Sequence, residues 1–198
     1  MQFPASDSII STVPPETVPV VIILVSIVAF TIIIERMIYF WNIRNLKSEE
    51  VQYLKNVLKS RQLEEAVLYL QTIPNPTAKV IAFGIGSETA RIEEDLQDES
   101  YRQIDLMERF LNELGTIATI APLLGVLGTV IGIIRSFAAG AGTKGAEVGI
   151  SEALITTAMG LAVAIPAYIF YNYFVNRKDN YISEMENITS QVLNYFKK

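Results

Sequence analysis

Along this chain, charged residues bracket three long stretches that contain none: Thr17–Ile34, between Glu16 and Glu35, then 114–134, then 153–176. About 20 predominantly apolar residues of helix cross a bilayer core, so each stretch predicts a transmembrane span. The predicted order is a lead-in over 1–17, span one over 18–40, a polar helical region over 41–112, span two over 113–139, a glycine-rich hairpin over 140–147, span three over 148–176 and a C-terminal helix over 177–198. The expected fold class is all-α, an integral membrane protein with long helical extensions.

Within the polar region the apolar residues recur at helical spacing. Ser48 before Glu49 and Glu50 reads as a helix start, with Val51, Leu54 and Leu58 on one face; a second helix over about 62–73 puts Leu63, Val67 and Leu70 together. Pro74-Asn-Pro76 breaks the chain and a third helix follows from about Thr77. Ser100 with Gln103 has capping-box spacing, and Leu106, Phe110 and Leu114 continue the face, which predicts one unbroken helix from about 100 into span two. After span three, Ile182, Met185, Ile188, Val192 and Phe196 recur at three- and four-residue steps, so that helix too is expected to continue. One short hairpin cannot bury all these faces, and self-association is the expected remedy.

Basic residues set the expected orientation. Arg36, Arg44 and Lys47 follow span one, Arg102 and Arg109 precede span two, Arg177 and Lys178 follow span three, and the N-terminal segment has none. The positive-inside rule places the N-terminus and hairpin outside and 41–112 and the C-terminus inside, with Arg135 and Lys144 as outer-side exceptions. Glu35-Arg36 followed by Tyr39, Phe40 and Trp41 reads as an interfacial anchor, with an intramembrane ion pair as the alternative. The aromatics Tyr168, Phe170, Tyr171, Tyr173 and Phe174 read as the corresponding belt of span three.

Composition narrows the chemistry. With no cysteine and no histidine, cysteine nucleophiles, Ser-His-Asp triads and His/Cys metal sites are removed together, and neither Ser136 nor Ser151 has a credible base at helical spacing. No enzyme, catalytic residue, cofactor or metal is expected. A net charge of −5 without a basic stripe is no nucleic-acid signature.

One residue resists a purely architectural reading. Counting back from the belt puts Glu152 about one turn inside span three, where an ionised carboxylate costs on the order of 2.5–3.5 kcal/mol and ordinarily faces a bundle interior or a water path. The alternative is a side chain that snorkels to the interface. Glu152, Thr156 and Gly160 fall at i, i+4 and i+8, with Thr157 one position offset; span two carries a matching stripe of Gly115, Thr119, Pro122, Gly125, Thr129, Gly132 and Ser136. Close helix packing accounts for the glycines, Gly128 and Gly132 forming a small-xxx-small motif, and for most threonines, but not for Glu152.

Two segments carry a resemblance. Ala121-Pro-Leu-Leu-Gly-Val-Leu-Gly-Thr-Val-Ile-Gly132, followed by Ile150-Ser-Glu-Ala-Leu-Ile-Thr-Thr-Ala-Met-Gly-Leu-Ala-Val-Ala-Ile-Pro-Ala167, resembles the paired signature of the MotA/TolQ/ExbB proton-channel family. Three spans with the large inner loop after the first resemble its ExbB and TolQ branches more than its four-span flagellar branch. The resemblance implies a bacterial inner-membrane ring, expected to be a pentamer, around the single transmembrane helices of an ExbD- or TolR-like partner, and a TonB- or TolA-like protein as the recipient of the work. It also implies an ion pathway of Glu152, Thr129 and Thr157, to which the stripe adds Thr156. The packing or pore-lining set is Pro122, Gly125, Gly128, Gly132, Gly160 and Pro166. The expected function is a proton-channel subunit that converts proton motive force into mechanical work on an outer-membrane transport or envelope system. A sodium-driven, stator-like channel of the same family and a non-conducting membrane scaffold are the alternatives.

Overall fold

The computed structural model describes residues 14, 16–60, 62–86, 91–138 and 144–196. Their regular structure is helical throughout: α1 Thr17–Asn42, α2 Ser48–Ser60, α3 Leu63–Gln71, α4 Pro76–Gly86, α5 Ile92–Glu108, α6 Leu111–Ala138 and α7 Lys144–Phe196. Three helical stretches, in α1, in α6 and in α7, are long and apolar enough to cross a membrane. The first half of the predicted hairpin, 140–143, and the predicted lead-in, apart from Pro14, Glu16 and Thr17, lie outside the described residues, and the hairpin's second half, 144–147, belongs to α7.

The chain divides into two compact units. The first comprises the described residues up to Ile34 together with Phe110–Asn172; the second comprises Glu35–Arg109 and the chain from Tyr173 onward. In the first unit Ile22, Ala29, Ile32 and Ile33 of α1 are buried while Ile23, Leu24, Ile27 and Val28 are exposed, so α1 presents one face to its own chain and an apolar face outward. Leu123, Val126, Val130 and Phe137 on α6, and Leu154, Ile155 and Ile165 on α7, are likewise exposed. Such broad apolar surface is stable in lipid or against further copies, not in water.

The second unit has its own core. Leu54 and Leu58 of α2, Leu70 of α3, Ile81 and Ile85 of α4, and Ile188 and Val192 of α7 form one buried cluster, with Val51, Leu63 and Val67 packed against it. The faces predicted for these helices are the ones buried. On α7 the buried face is Tyr181, Met185, Ile188 and Val192, so Tyr181 leads it where Ile182 was expected, and the Tyr181 hydroxyl donates to the Ile43 carbonyl at 3.2 Å. Asn75, 1% exposed, ties the Pro74-Asn75-Pro76 break into the fold: its Oδ1 accepts the Ala78 N–H at 3.0 Å as the cap of α4, while its Nδ2 donates to the Arg44 carbonyl at 2.8 Å and to Glu184 at 3.0 Å. Thr77 donates to the same Glu184 oxygen at 3.1 Å.

The unbroken helix from about residue 100 into span two is not formed. The helix begins at Ile92, where Glu93, Glu94 and Asp95 occupy its first turn and favour a positive helix end; Ser100 lies inside it, its hydroxyl donating to the Leu96 carbonyl at 2.6 Å. It ends at Glu108. Arg109 turns to ψ 128°, Phe110 takes φ 62°, and the Phe110 carbonyl accepts the Leu114 N–H at 3.1 Å to open α6. Periodicity read through the break because Leu106, Phe110 and Leu114 keep four-residue spacing on either side of it. A left-handed phenylalanine, which costs on the order of 1–2 kcal/mol, leaves no trace in apolar spacing.

The Glu35-Arg36 pair is more than a surface anchor. The Arg36 side chain is 2% exposed; it pairs with Glu35, donates to the Leu106 carbonyl at 2.9 Å near the end of α5, and stacks over the Tyr39 ring at 4.6 Å. A guanidinium on the last carbonyls of a helix is favoured by their unpaired lone pairs and by the helix dipole. Of the predicted aromatic belt, Tyr168 and Tyr173 are exposed, whereas Phe174 is fully buried and stacks on Phe40 with ring centroids 5.6 Å apart.

Candidate ion-handling site

In the first unit α6 and α7 run antiparallel along a seam of small residues. A methyl group placed on Gly125 would come 3.0 Å from the Thr157 Cα, one on Gly132 2.6 Å from the Ala153 Cβ, and one on Gly160 2.5 Å from the Ala121 carbonyl oxygen. On Gly128 it would overlap the Thr156 methyl, with Val18 of α1 closing the same spot at 3.0 Å. Gly125, Gly128, Gly132 and Gly160 thus lie along one line of contact too close for a larger residue. Pro122 and Pro166 lie inside α6 and α7, both of which continue through them. Each proline removes one intrahelical N–H, a loss that membrane helices tolerate.

The hydroxyls sit differently from one another. Thr129 and Thr157 pair hydroxyl to hydroxyl across the seam, and both also lie within reach of the Gly125 carbonyl, at 2.9 and 3.1 Å; with one proton each, one hydroxyl donates to the other while the second donates to the carbonyl. Thr156, 5% exposed, donates to the carbonyl of Glu152 at 3.0 Å and spends its methyl on Gly128. Glu152 itself is exposed. It lines a cleft of about 450 Å³ at the ends of the three helices, walled by Glu16 and Val18 of the α1 end, Gly128, Gly132 and Arg135 of α6, and Gly149, Ala153 and Thr156 of α7. The four predicted ion-pathway residues therefore fall into two groups: Glu152 and Thr156 share the cleft, while Thr129 and Thr157 form a hydroxyl pair that does not line it. Within one chain they make no single cavity.

Among the described residues, three charged side chains line the cleft: Glu16, Arg135 and Glu152. In the sequence Arg135 stands out only as an exception to the positive-inside rule. It stands three residues beyond Gly132 and seven beyond Gly128, on the face whose glycines meet α7, and that spacing was available as a pointer to it. Glu16 offered none, since a residue bounding a span carries no signal of which neighbour it faces. No group of histidine, cysteine and carboxylate side chains suited to a metal ion occurs among the described residues.

Three apolar helices of membrane-crossing length define a class, that of multi-pass helical membrane proteins. The family model described as the MotA/TolQ/ExbB proton channel family matches residues 54–187, and the chain belongs to that family. It is 34% identical over 160 residues to a putative biopolymer transport protein ExbB-like 3 of Synechocystis, covering 75% of this chain and 76% of the relative. With the biopolymer transport protein ExbB of Salmonella typhimurium it shares 31% over 193 residues, 87% of this chain and 77% of the relative. A shorter match to the Tol-Pal system protein TolQ of Haemophilus influenzae is 45% identical over 76 residues, 36% of this chain and 33% of the relative.

Proposed function

We propose that the chain is the channel subunit of an ExbB–ExbD or TolQ–TolR type motor in a bacterial inner membrane, without enzymatic activity of its own, which lets protons re-enter the cell and converts proton motive force into mechanical work on an outer-membrane system. The observation that carries this reading is Glu152: an exposed carboxylate at the head of an otherwise uncharged span, bordering a cleft in the membrane unit. A carboxylate there takes up and releases protons across a membrane potential worth about 2.3 kcal/mol per charge for each 100 mV. The division of the hydroxyls supports assembly into a ring. Glu152 and the Thr129–Thr157 pair become parts of one path only where neighbouring copies and a single-span ExbD- or TolR-like partner bring their surfaces together. A homopentamer with a TonB- or TolA-like client, N-terminus periplasmic and C-terminus cytoplasmic, completes the reading.

The scaffold alternative has one observation in its favour, since the seam uses Thr156 and every glycine of the stripe for packing. Glu152→Gln separates the two. Expressed with its partner at matched membrane abundance, this variant assembles as the parent does and loses transport-coupled work and proton flux. Full activity of Glu152→Gln would leave the scaffold reading standing.

A further inference from the structure

We propose that Pro166 gives the ion path a second station: the Ala162 carbonyl, which the proline leaves without its helical N–H partner, holds water on the same face of α7 as Glu152. The inference rests on the reading of Glu152 as the ion-handling group. Glu152, Ile155, Met159, Ala162 and Pro166 follow one another at steps of three and four, which places them on one face of α7. None of the five is buried within the chain: Glu152, Ile155 and Ala162 are exposed, Met159 and Pro166 half-buried. The first three line the cleft, and Ala162 is the next position on the stripe beyond it.

In an unbroken helix the Ala162 carbonyl accepts the N–H of residue 166, and a proline there has none to give. In hydrocarbon an unpaired carbonyl is costly, so a freed one is met by a neighbouring side chain or by water. Ala162 lies near the middle of the uncharged run 153–176, where lipid has no donor to offer. The nearest hydroxyls of α7 are engaged elsewhere: Thr156 donates to the Glu152 carbonyl at 3.0 Å, and Thr157 belongs to its group with Thr129 and the Gly125 carbonyl across the seam. Pro122 frees the Ala118 carbonyl in the same way, but Ala118, 7% exposed, sits on the packed face of α6 with Ala121 and Gly125. The stripe of α7 thus carries two groups that lipid does not tolerate, a carboxylate and an unpaired carbonyl about 15 Å further along the axis, both on residues exposed to the outside of the chain. Such a face is wetted. The carbonyl accepts a hydrogen bond from water and takes no proton itself, so it orders the water that serves Glu152 along a stretch, Ile155 and Met159, whose side chains are apolar.

A proline also bends a helix, and the alternative is that Pro166 acts through its ring alone. The test uses the complete complex with its single-span partner in proteoliposomes, with proton entry read by a pH-sensitive dye. Pro166→Ala supplies the missing N–H and is expected to lower proton flux about tenfold, the equivalent of one hydrogen bond lost from the path, while the complex melts no lower than the parent because alanine is the better helix residue. A chain made with lactic acid at 166 has the alanine side chain and no ring, but an ester oxygen in place of the N–H; it is expected to conduct within about twofold of the parent. Parent-like flux in Pro166→Ala overturns the proposal, as does slow flux in the ester chain, which would assign the effect to the ring and its bend. The ester chain also keeps the test decisive should Pro166→Ala assemble poorly. Glu152→Gln, run alongside, reports on the underlying reading: if it conducts as the parent does, that reading fails whatever residue 166 does.

Discussion

The seam between α6 and α7 makes Gly160 the most demanding position in the membrane unit. An alanine methyl there would stand 2.5 Å from the Ala121 carbonyl oxygen and 3.0 Å from the Gly125 Cα. Both are backbone atoms, so no side-chain rotation relieves the contact. A comfortable carbon–oxygen approach is about 3.3 Å, and the helices must part by about 0.8 Å at the crossing. Overpacking of this kind costs about 1–3 kcal/mol, against about 1 kcal/mol that alanine gains over glycine in a helix interior. The net expectation is a loss of about 1 kcal/mol for Gly160→Ala, a fall in melting temperature of about 2–4 °C, and a larger fall for Gly160→Val. Gly86→Ala is the control: its methyl would meet the Val67 methyls at 3.8 and 3.9 Å, ordinary contact. Thermal unfolding of the purified, detergent-solubilised complex, followed by intrinsic fluorescence, measures both. If Gly160→Ala melts at or above the parent, the backbone-contact argument is wrong, because helix propensity would have outweighed the crossing.

Further outcomes follow from the second unit and from the proposed topology. Asn75→Ala should destabilise that unit by about 2–3 kcal/mol, since it removes the cap of α4 and leaves Glu184 and the Arg44 carbonyl each short of a donor; limited proteolysis near residue 75 at rising temperature reads the loss. The Arg44 guanidinium, and against burial also the Lys47 N–H, hold the Glu50 carboxyl below the usual carboxylate range. A depressed carboxylate contributes stability that is complete above its unfolded value of about 4.3 and fades as pH falls through the folded one. Glu50→Gln should therefore lose stability at neutral pH, and the gap to the parent should close as the solution is acidified below about pH 4; a gap that widens in acid would refute the pairing. A reporter active only in the periplasm should function when fused after Ala141 and fail when fused after Asn75, and the reverse pattern would invert the proposed orientation.

What could be read from the sequence, and what could not, divides along physical lines. Burial has a period, so Leu54, Leu58, Leu70, Ile188 and Val192 announced their core, and the uncharged runs announced three membrane-length helices. The seam was readable in part: glycines three and four apart on 125, 128 and 132 pointed to a close crossing, but not to Ala121 and Ala153 as the surfaces they would touch. Backbone dihedrals have no such signature, which is why Phe110 hid the break between α5 and α6. Long-range polar contacts hid for a different reason. Asn75 meets Glu184, and Arg135 shares a cleft with Glu16, across more than a hundred residues of chain, and one-dimensional spacing holds no record of such pairs. Glu152 stood out because its surroundings are apolar; Arg135, beside the hairpin, did not.

The buried Arg36 has a consequence for the order in which the chain is made. Its contact with the Leu106 carbonyl spans 70 residues, so α1 has left the ribosome long before α5 exists. At roughly 5–20 residues per second, the interval is about 4–14 s. Throughout it a guanidinium near the end of α1 must be accommodated without its eventual cap. Glu35 is the one counter-charge that sequence adjacency supplies at once, and it is the partner Arg36 keeps in the finished fold. The adjacent pair thus works as its own escort, near neutral while α1 settles, and leaves Arg36 Nη1 to close α5 when that helix arrives.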